Sequence, residues 1–212
     1  MNALISSIVE VCVTQPIDVI KIHKQASIPI KYNWQTLYRG FIPRALGNIP
    51  SRSIFLISQD YLKQYFNSNK FSPLLVPIGS GFAQTLVDTP IEVLKMNRIV
   101  KKSINYKHLY NGFIPHLSRN ILFLVPVYNL RQYGDNTIQT ALYGSLGGII
   151  GAYISHPLDT IKTHMQVNKD YKSLTIKEYF RGCHLRASMS MINMGISLFV
   201  FEYMNKFSNI HI

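Results

Sequence analysis

Acidic residues are scarce in this chain. Ten Asp and Glu stand against 22 Lys and Arg in 212 residues, a formal charge of +12. Charged residues make up only 15% and hydrophobic ones 47%. A soluble domain of this length is compatible with those numbers, but few charges with a strong positive bias fit a membrane protein with basic loops better. A nucleic-acid partner is not expected, because the basic residues are dispersed and no helix-turn-helix or zinc-finger spacing accompanies them. Cysteine is nearly absent: Cys12 and Cys183, far apart, make no disulfide framework, and their apolar surroundings predict buried thiols. The seven histidines lack the spacing of a zinc site, and no Ser-His-Asp or Gly-x-Ser-x-Gly arrangement is present. No enzyme, metal or cofactor is therefore expected. The N-terminal Met1-Asn2-Ala3-Leu4-Ile5 has no basic region and Glu10 follows soon after, so neither a secretory signal nor an Arg-rich transit peptide is evident. Any address is expected to be internal.

One short pattern is abundant instead. Pro16-Ile17-Asp18-Val19-Ile20-Lys21, Pro90-Ile91-Glu92-Val93-Leu94-Lys95 and Pro157-Leu158-Asp159-Thr160-Ile161-Lys162 all read Pro-x-acid-x-x-Lys, with prolines 74 and 67 residues apart. A second landmark follows each: Tyr38-Arg39-Gly40, Tyr110-Asn111-Gly112 and Phe180-Arg181-Gly182, with proline-to-glycine separations of 24, 22 and 25 residues. Such self-similarity divides the chain into three units, 1–70, 71–135 and 136–212.

Six helical segments are predicted, two per unit, near residues 1–26, 41–66, 73–102, 113–134, 137–167 and 183–207. Each approaches or exceeds the ~20 residues that span a bilayer. None is a clean apolar run: Arg44, Arg52 and Asp60 interrupt the second, Arg119 and Arg131 the fourth. Charges inside spans face a bundle interior or an aqueous cavity, so a bundle around a cavity is expected. Small residues before the prolines, such as Gly144 and Gly148 before Pro157, suit close helix packing. Each proline lies within a helix and bends it. Polar stretches at 27–40, 103–112 and 168–182 join the helices of each pair, with a short surface helix expected in each.

The tripled motif and its companion glycine landmark resemble the mitochondrial carrier family over nearly the whole chain. The resemblance implies an all-α membrane protein of six transmembrane helices, in three pseudo-threefold repeats around a central cavity, with short matrix-side surface helices. It implies a single carrier domain over 1–212, acting as a monomer in the mitochondrial inner membrane, multi-pass. The abundance of Ile, Asn, Lys and Tyr points to an AT-rich coding genome, as of a protist or a large DNA virus, in which case the mitochondrion is the host's.

Residue roles follow from the same resemblance. Acid and lysine three apart share a helix face and can pair locally. The family instead pairs each acid with the lysine of another unit, giving Asp18–Lys95, Glu92–Lys162 and Asp159–Lys21 as a matrix gate. Solvent-accessible pairs of this kind are worth ~0–1 kcal/mol each. Gln25 and Gln166 match the family's glutamine braces, and Ile99 stands where a third belongs. A second network at the opposite mouth is poorly matched. Gln59-Asp60-Tyr61-Leu62-Lys63 keeps its charges, Arg131-Gln132-Tyr133-Gly134-Asp135 lacks the acid, and Phe201-Glu202-Tyr203-Met204-Asn205 ends in Asn.

Substrate contacts are implied seven and eight residues after each landmark glycine: Gly47-Asn48, Arg119-Asn120 and Met189-Ser190. Arg119 is the anion-binding candidate, because a guanidinium matches carboxylate and phosphate bidentately. A structural pairing of Arg119 with a carboxylate stands beside that reading. Arg44, His116 and Arg186 lie one turn nearer the matrix. The landmarks Arg39, Gly40, Gly112, Arg181 and Gly182 resemble the family's cardiolipin sites, where N–H groups at a helix start meet a phosphate; simple helix capping explains them equally.

The implied function is alternating-access transport, with exchange expected, of a small anion. Arg119-Asn120 resembles keto- and dicarboxylate carriers, while Gly47 and Tyr128 keep nucleotides open. Two alternatives stand beside it: a carrier-like membrane adaptor that does not transport, and a soluble helical-repeat protein.

Overall fold

The computed structural model describes residues 2–66, 71–101, 103, 108–167, 169–193 and 196. Helix α1 covers Asn2–Gln25, α2 Trp34–Leu37, α3 Phe41–Tyr65, α4 Ser72–Ile99, α5 Phe113–Arg131, α6 Thr137–Gln166 and α7 Ile176–Tyr179. A further helix, α8, occupies 183–193. The chain is mostly helical, and no strand occurs among the described residues. The short surface helices appear as α2 and α7; residues 104–107, part of the middle stretch at 103–112, lie outside the described residues. So do Phe201–Asn205 and the end of the last predicted helix.

Local chemistry explains the element ends. Asn33 caps α2 by accepting from the Thr36 N–H, and Asn136 caps α6 through Gln139. Thr175 and Glu178 form a reciprocal capping box on α7. Gly40 and Gly112 open α3 and α5 at φ 76° and 78°, and Gly182 precedes α8 at φ 90°. This left-handed conformation favours glycine, which accounts for the recurrent landmark.

The landmark also has an unanticipated partner in the motif proline. A proline in a helix leaves the carbonyl four residues earlier without its N–H. Pro16 frees the Cys12 carbonyl and Pro90 frees that of Leu86. The Tyr38 hydroxyl donates to Cys12 O at 3.2 Å, and Tyr110 to Leu86 O at 3.2 Å. In the first two copies the landmark aromatic thus repairs the helix that the motif proline interrupts. In the third unit Phe180 has no hydroxyl to offer Tyr153; it stacks on His156 instead, with ring centroids 6.4 Å apart. The residue before the proline makes a second tie: Gln15 donates to Arg39 O at 2.6 Å, and His156 Nε2 contacts Arg181 O at 3.2 Å.

Packing is sequential, α1 on α3, α3 on α4, α4 on α5 and α5 on α6, with α1 and α4 each also meeting α6. Gly47 and Gly147 mark close approaches. A methyl on Gly47 would lie 2.1 Å from Ile91 Cγ2, and one on Gly147 2.8 Å from the α5 backbone. Below the motif, Val19, Ile22, Ala26, Met96, Ile99 and Val167 form an apolar plug.

The distribution of polarity is inverted relative to a water-soluble bundle. Asp18, Lys21, Lys95, Asp159, Lys162 and Arg186 are buried. The exposed faces carry Val9 and Val13 on α1, Phe82 and Leu86 on α4, and Ile138, Leu142, Leu146, Ile150 and Ile154 at four-residue spacing on α6. Soluble proteins rarely bury so many charges beneath so much contiguous apolar surface. Among the described residues, no helix is by itself long and apolar enough to cross a membrane, because each spends one face on the charged interior. Cys12 corrects an expectation. It shares the outward face with Val9 and Val13 and is exposed, whereas Cys183 is buried.

Candidate functional site

Helices α1, α4 and α6 converge at their motifs and bring six charges together. Lys95 Nζ lies 3.0 Å from Asp18 Oδ2, Lys162 Nζ 2.7 Å from Glu92 Oε2, and Lys21 Nζ 2.9 Å from Asp159 Oδ2. Each is a contact between two copies of the Pro-x-acid-x-x-Lys motif. Local pairing coexists with them: Lys95 also meets Glu92 at 2.9 Å, and Lys21 meets Asp18 at 3.8 Å. The landmark glycines sit beneath the same lysines. A methyl on Gly40 would meet Lys95 O at 3.1 Å, one on Gly112 Lys162 O at 3.5 Å, and one on Gly182 Lys21 O at 3.9 Å. The αL turns therefore let a neighbouring helix approach at the depth of the ion pairs.

These pairs are less accessible than the sequence suggested. The lysine side chains are 3–10% exposed, Asp18 and Asp159 2–5%, and Glu92 20%. The plug shields them from one side. Removing one member of a buried pair strands the other charge and costs about 3–5 kcal/mol, well above the ~0–1 kcal/mol of an accessible pair.

Gln25 and Gln166 behave differently. Gln25 Nε2 donates to Asp159 Oδ2 at 2.9 Å and to Thr160 Oγ1 at 3.5 Å, while Thr163 Oγ1 donates to Gln25 Oε1 at 3.2 Å. Gln166 is buried, yet neither its oxygen nor its nitrogen finds a partner among the described residues. Among the described residues Gln166 does not make the brace that Gln25 makes. At the places after Glu92 that correspond to Thr160 and Thr163 stand Val93 and Met96, which carry no hydroxyl.

Above the ring lies a cavity of ≈ 340 Å³, lined by seven cationic and five acidic side chains. Asn48, Arg119, Asn120, Met189 and Ser190 line it, as do Arg44 and Arg186. Gly47 does not; it faces Ile91 on α4, and its role is packing. Asn120 is fixed by donating to Thr85 Oγ1 at 2.9 Å, and Ser190 by donating to Arg186 O at 3.2 Å. Arg119 reaches Asp159 Oδ1 at 3.2 Å and also donates to Asn120 Oδ1. Arg44 meets Asp18 at 3.5 Å and donates to Thr14 Oγ1 at 2.9 Å. Arg186 lies 3.8 Å from Asp159 and donates to Ser155 Oγ at 2.8 Å. Asp159 is the hub, touched by Lys21, Gln25, Arg119 and Arg186. Cations held by a protein carboxylate can exchange it for a ligand's carboxylate or phosphate.

Sequence reasoning missed Glu10, which pairs with Arg52 on the cavity wall, and Asp88, 3.8 Å from His116. No spacing rule marks either.

A second cavity of ≈ 360 Å³ lies toward the far ends of α3 and α5, lined by Phe55, Gln59, Lys63, Tyr128 and Arg131. Phe123 and Leu124 line both cavities. Lys63 Nζ sits 5.6 Å from the Tyr128 ring centroid. Among the described residues, Asp60, Lys63, Arg131 and Asp135 form no ion pair.

Of the landmark basic residues, Arg181 donates to Ser27 Oγ at 3.0 Å. Asn111, in the middle unit, donates to Met165 O at 2.7 Å. No group of His, Cys, Asp and Glu among the described residues has the arrangement of a metal site.

Comparison with known proteins places these features in context. The sequence profile described as "Mitochondrial carrier protein" matches residues 134–211. A probable mitochondrial 2-oxodicarboxylate carrier of Schizosaccharomyces pombe is 28% identical, the alignment covering 76% of this chain and 71% of that one. A tricarboxylate transporter of Gibberella moniliformis is 29% identical over 74% of this chain and 67% of its own. The mitochondrial 2-oxodicarboxylate carrier of Mus musculus is 22% identical, over 76% and 72%.

Proposed function

The chain belongs to the mitochondrial carrier family, and from that premise we propose that it moves a small anion across the mitochondrial inner membrane by alternating access. The named relatives are two mitochondrial 2-oxodicarboxylate carriers, one of them probable, and a tricarboxylate transporter, which supports solute transport as the activity of this chain. The substrate class is read here as a keto- or dicarboxylate, and the mode as exchange.

A single observation supports this reading most. The buried ion pairs between units lie at the floor of a cavity in which Arg119 is held only by exchangeable partners. In this reading α1, α3, α4, α5, α6 and α8 are the membrane-crossing helices of three repeats. The bundle turns its charges inward and its Leu, Ile and Phe faces to lipid, and one chain encloses the cavity as a monomer. Asp18, Lys21, Glu92, Lys95, Asp159 and Lys162 form the closed matrix gate, braced by Gln25. Arg119, Asn120, Asn48, Met189 and Ser190 contact the substrate, with Arg44 and Arg186 adding positive charge. Cardiolipin-type phosphates dock at the αL turns of Gly40, Gly112 and Gly182, beside Arg39 and Arg181.

Binding shifts the balance between closed and open states only if the substrate interacts differently with each. An anion that takes Arg119 from Asp159 does so, since it removes one of the contacts that hold α5 and α6 together around the ring.

Reconstitution tests this. Purified protein in cardiolipin-containing liposomes should take up labelled 2-oxoglutarate in exchange for internal 2-oxoglutarate. Nucleotides and tricarboxylates serve as parallel substrates. Folded protein that exchanges none of these anions would be a non-transporting adaptor, and the proposal would fail.

A further inference from the structure

The residue two before each motif proline meets a basic side chain from the next long helix. In the first unit Arg44 donates to Thr14 Oγ1, and in the third Arg186 donates to Ser155 Oγ. The middle unit replaces both partners: the hydroxyl becomes Asp88 and the guanidinium becomes His116. Asp88 Oδ2 lies 3.8 Å from His116 Nε2, which is too long for a hydrogen bond. His116 is fully buried, and its Nε2 has no partner among the described residues.

Thr89 Oγ1 has one hydrogen and two acceptors within reach, the Thr85 carbonyl at 2.7 Å and His116 Nδ1 at 3.1 Å. With the hydrogen on the nearer acceptor, Nδ1–H donates to Thr89 Oγ1, and a neutral His116 then aims the bare Nε2 lone pair at a carboxylate. Two acceptors face each other with no hydrogen between them, on the wall of the cavity that Asp88 lines. One added proton turns the clash into a hydrogen bond and changes the pair from one negative charge to none.

We infer that Asp88 and His116 form a one-proton site, and that its proton moves through the protein in the same direction as the anion. The proton comes from water on the side to which the cavity is open and is released to water on the other; no bond other than N–H or O–H is made or broken. The charges acting on the pair are Glu92 and Lys95 from α4, Arg119 from α5, and Asp159 and Lys162 from α6. Three are positive and two negative. Each positive charge opposes the added proton, and an anion bound among Arg119 and Lys162 relieves that opposition. Proton and anion thereby favour each other's binding, reciprocally.

Two measurements decide this. The coupling half rests on the transport reading above, whereas the proton site does not. In protein labelled with ¹³C,¹⁵N-histidine in cardiolipin nanodiscs, the neutral His116 signal should report the Nδ1–H tautomer, and its titration should change in Asp88→Asn. An Nε2–H tautomer, or an unchanged titration, overturns the site. In weakly buffered nanodiscs, binding of 2-oxoglutarate should take up as much as one proton per anion bound, read with a pH dye, at a pH where the free site is unprotonated. That uptake should vanish in Asp88→Asn, whatever its affinity. Anion binding with no proton uptake in the unaltered protein overturns the coupling. Absence of any anion binding counts against the transport reading, and the histidine signal alone then decides the site.

Discussion

Arg119 Nη1 lies 3.2 Å from Asp159 Oδ1, across 40 residues of sequence, so the cavity's candidate ligand-binding cation is already held by a carboxylate of the ring. Its second hold, on the Asn120 side chain, is equally displaceable. A substrate carboxylate can reproduce both contacts at once. Arg119→Gln should therefore lower anion uptake about a hundredfold, the loss of a charge-assisted contact of ~3 kcal/mol. Arg119→Lys should recover little, because an ammonium cannot present the planar fork. Initial uptake rates in liposomes measure both; full activity in Arg119→Gln would remove Arg119 from the site.

Reversing Lys95 sets three carboxylates together, since Lys95 lies 3.0 Å from Asp18 and 2.9 Å from Glu92. Lys95→Glu should reduce exchange to background. Adding Asp18→Lys should restore part of it. Restoration stays incomplete, because position 18 also faces Arg44 at 3.5 Å and Lys21 at 3.8 Å. If the double variant is no better than the single one, the contact between units does not govern transport.

The two glutamines should separate cleanly in thermal unfolding. Gln25 gives one N–H to a buried carboxylate and accepts from Thr163, so Gln25→Ala should cost about 1.5–3 kcal/mol. Gln166 finds no hydrogen-bond partner among the described residues. Gln166→Leu removes two stranded polar atoms at similar volume, and should leave the melting temperature unchanged or raise it. Equal losses in the two variants would mean that Gln166 also braces a pair.

The proline motifs and landmark glycines were legible from sequence because their spacing recurs, and recurrence survives the loss of any single residue. Helix positions followed for the same reason. Gly47, Asp88 and Glu10 were not legible, since their roles depend on which helices touch at a given depth. Cavity-lining Asn48 and packing Gly47 are adjacent in sequence and differ only in the direction each Cα presents. The Tyr38 and Tyr110 contacts carried a usable signal, a hydroxyl-bearing aromatic 22 and 20 residues after its proline. It went unread because a proline's orphaned carbonyl is not visible as a residue.

Outside the helical bundle, the α7 cap should respond to acid. The Thr175 backbone N–H and hydroxyl, at 2.8 and 2.7 Å, hold the Glu178 carboxyl below its ordinary value. A lowered folded value means the stabilisation is complete above the unfolded carboxylate range, near ~4.3. It is lost as pH falls through the lower folded value. Amide exchange at Thr175 should accelerate, relative to the intrinsic rate, only in that acidic window. Glu178→Gln keeps a capping acceptor and should flatten the dependence. An acid response that persists in Glu178→Gln would assign it elsewhere.

The aromatic landmark offers a test in which stability rises. Tyr38 and Tyr110 each donate to the carbonyl freed by their unit's motif proline. Replacing either with Phe removes one hydrogen bond, worth about 1 kcal/mol, and leaves the ring packing intact. For a chain of this length that corresponds to roughly 2–4 °C in melting temperature. The third unit already lacks this bond, because Phe180 stands at the position. Phe180→Tyr supplies a hydroxyl directed toward the Tyr153 carbonyl and should raise the melting temperature by a similar amount. The result discriminates between two explanations of the landmark. If the aromatic serves only as a ring packed over the proline, Tyr38→Phe, Tyr110→Phe and Phe180→Tyr are all silent. If it serves to satisfy the freed carbonyl, the first two lose stability and the third gains it, and only that pattern of signs supports the repair.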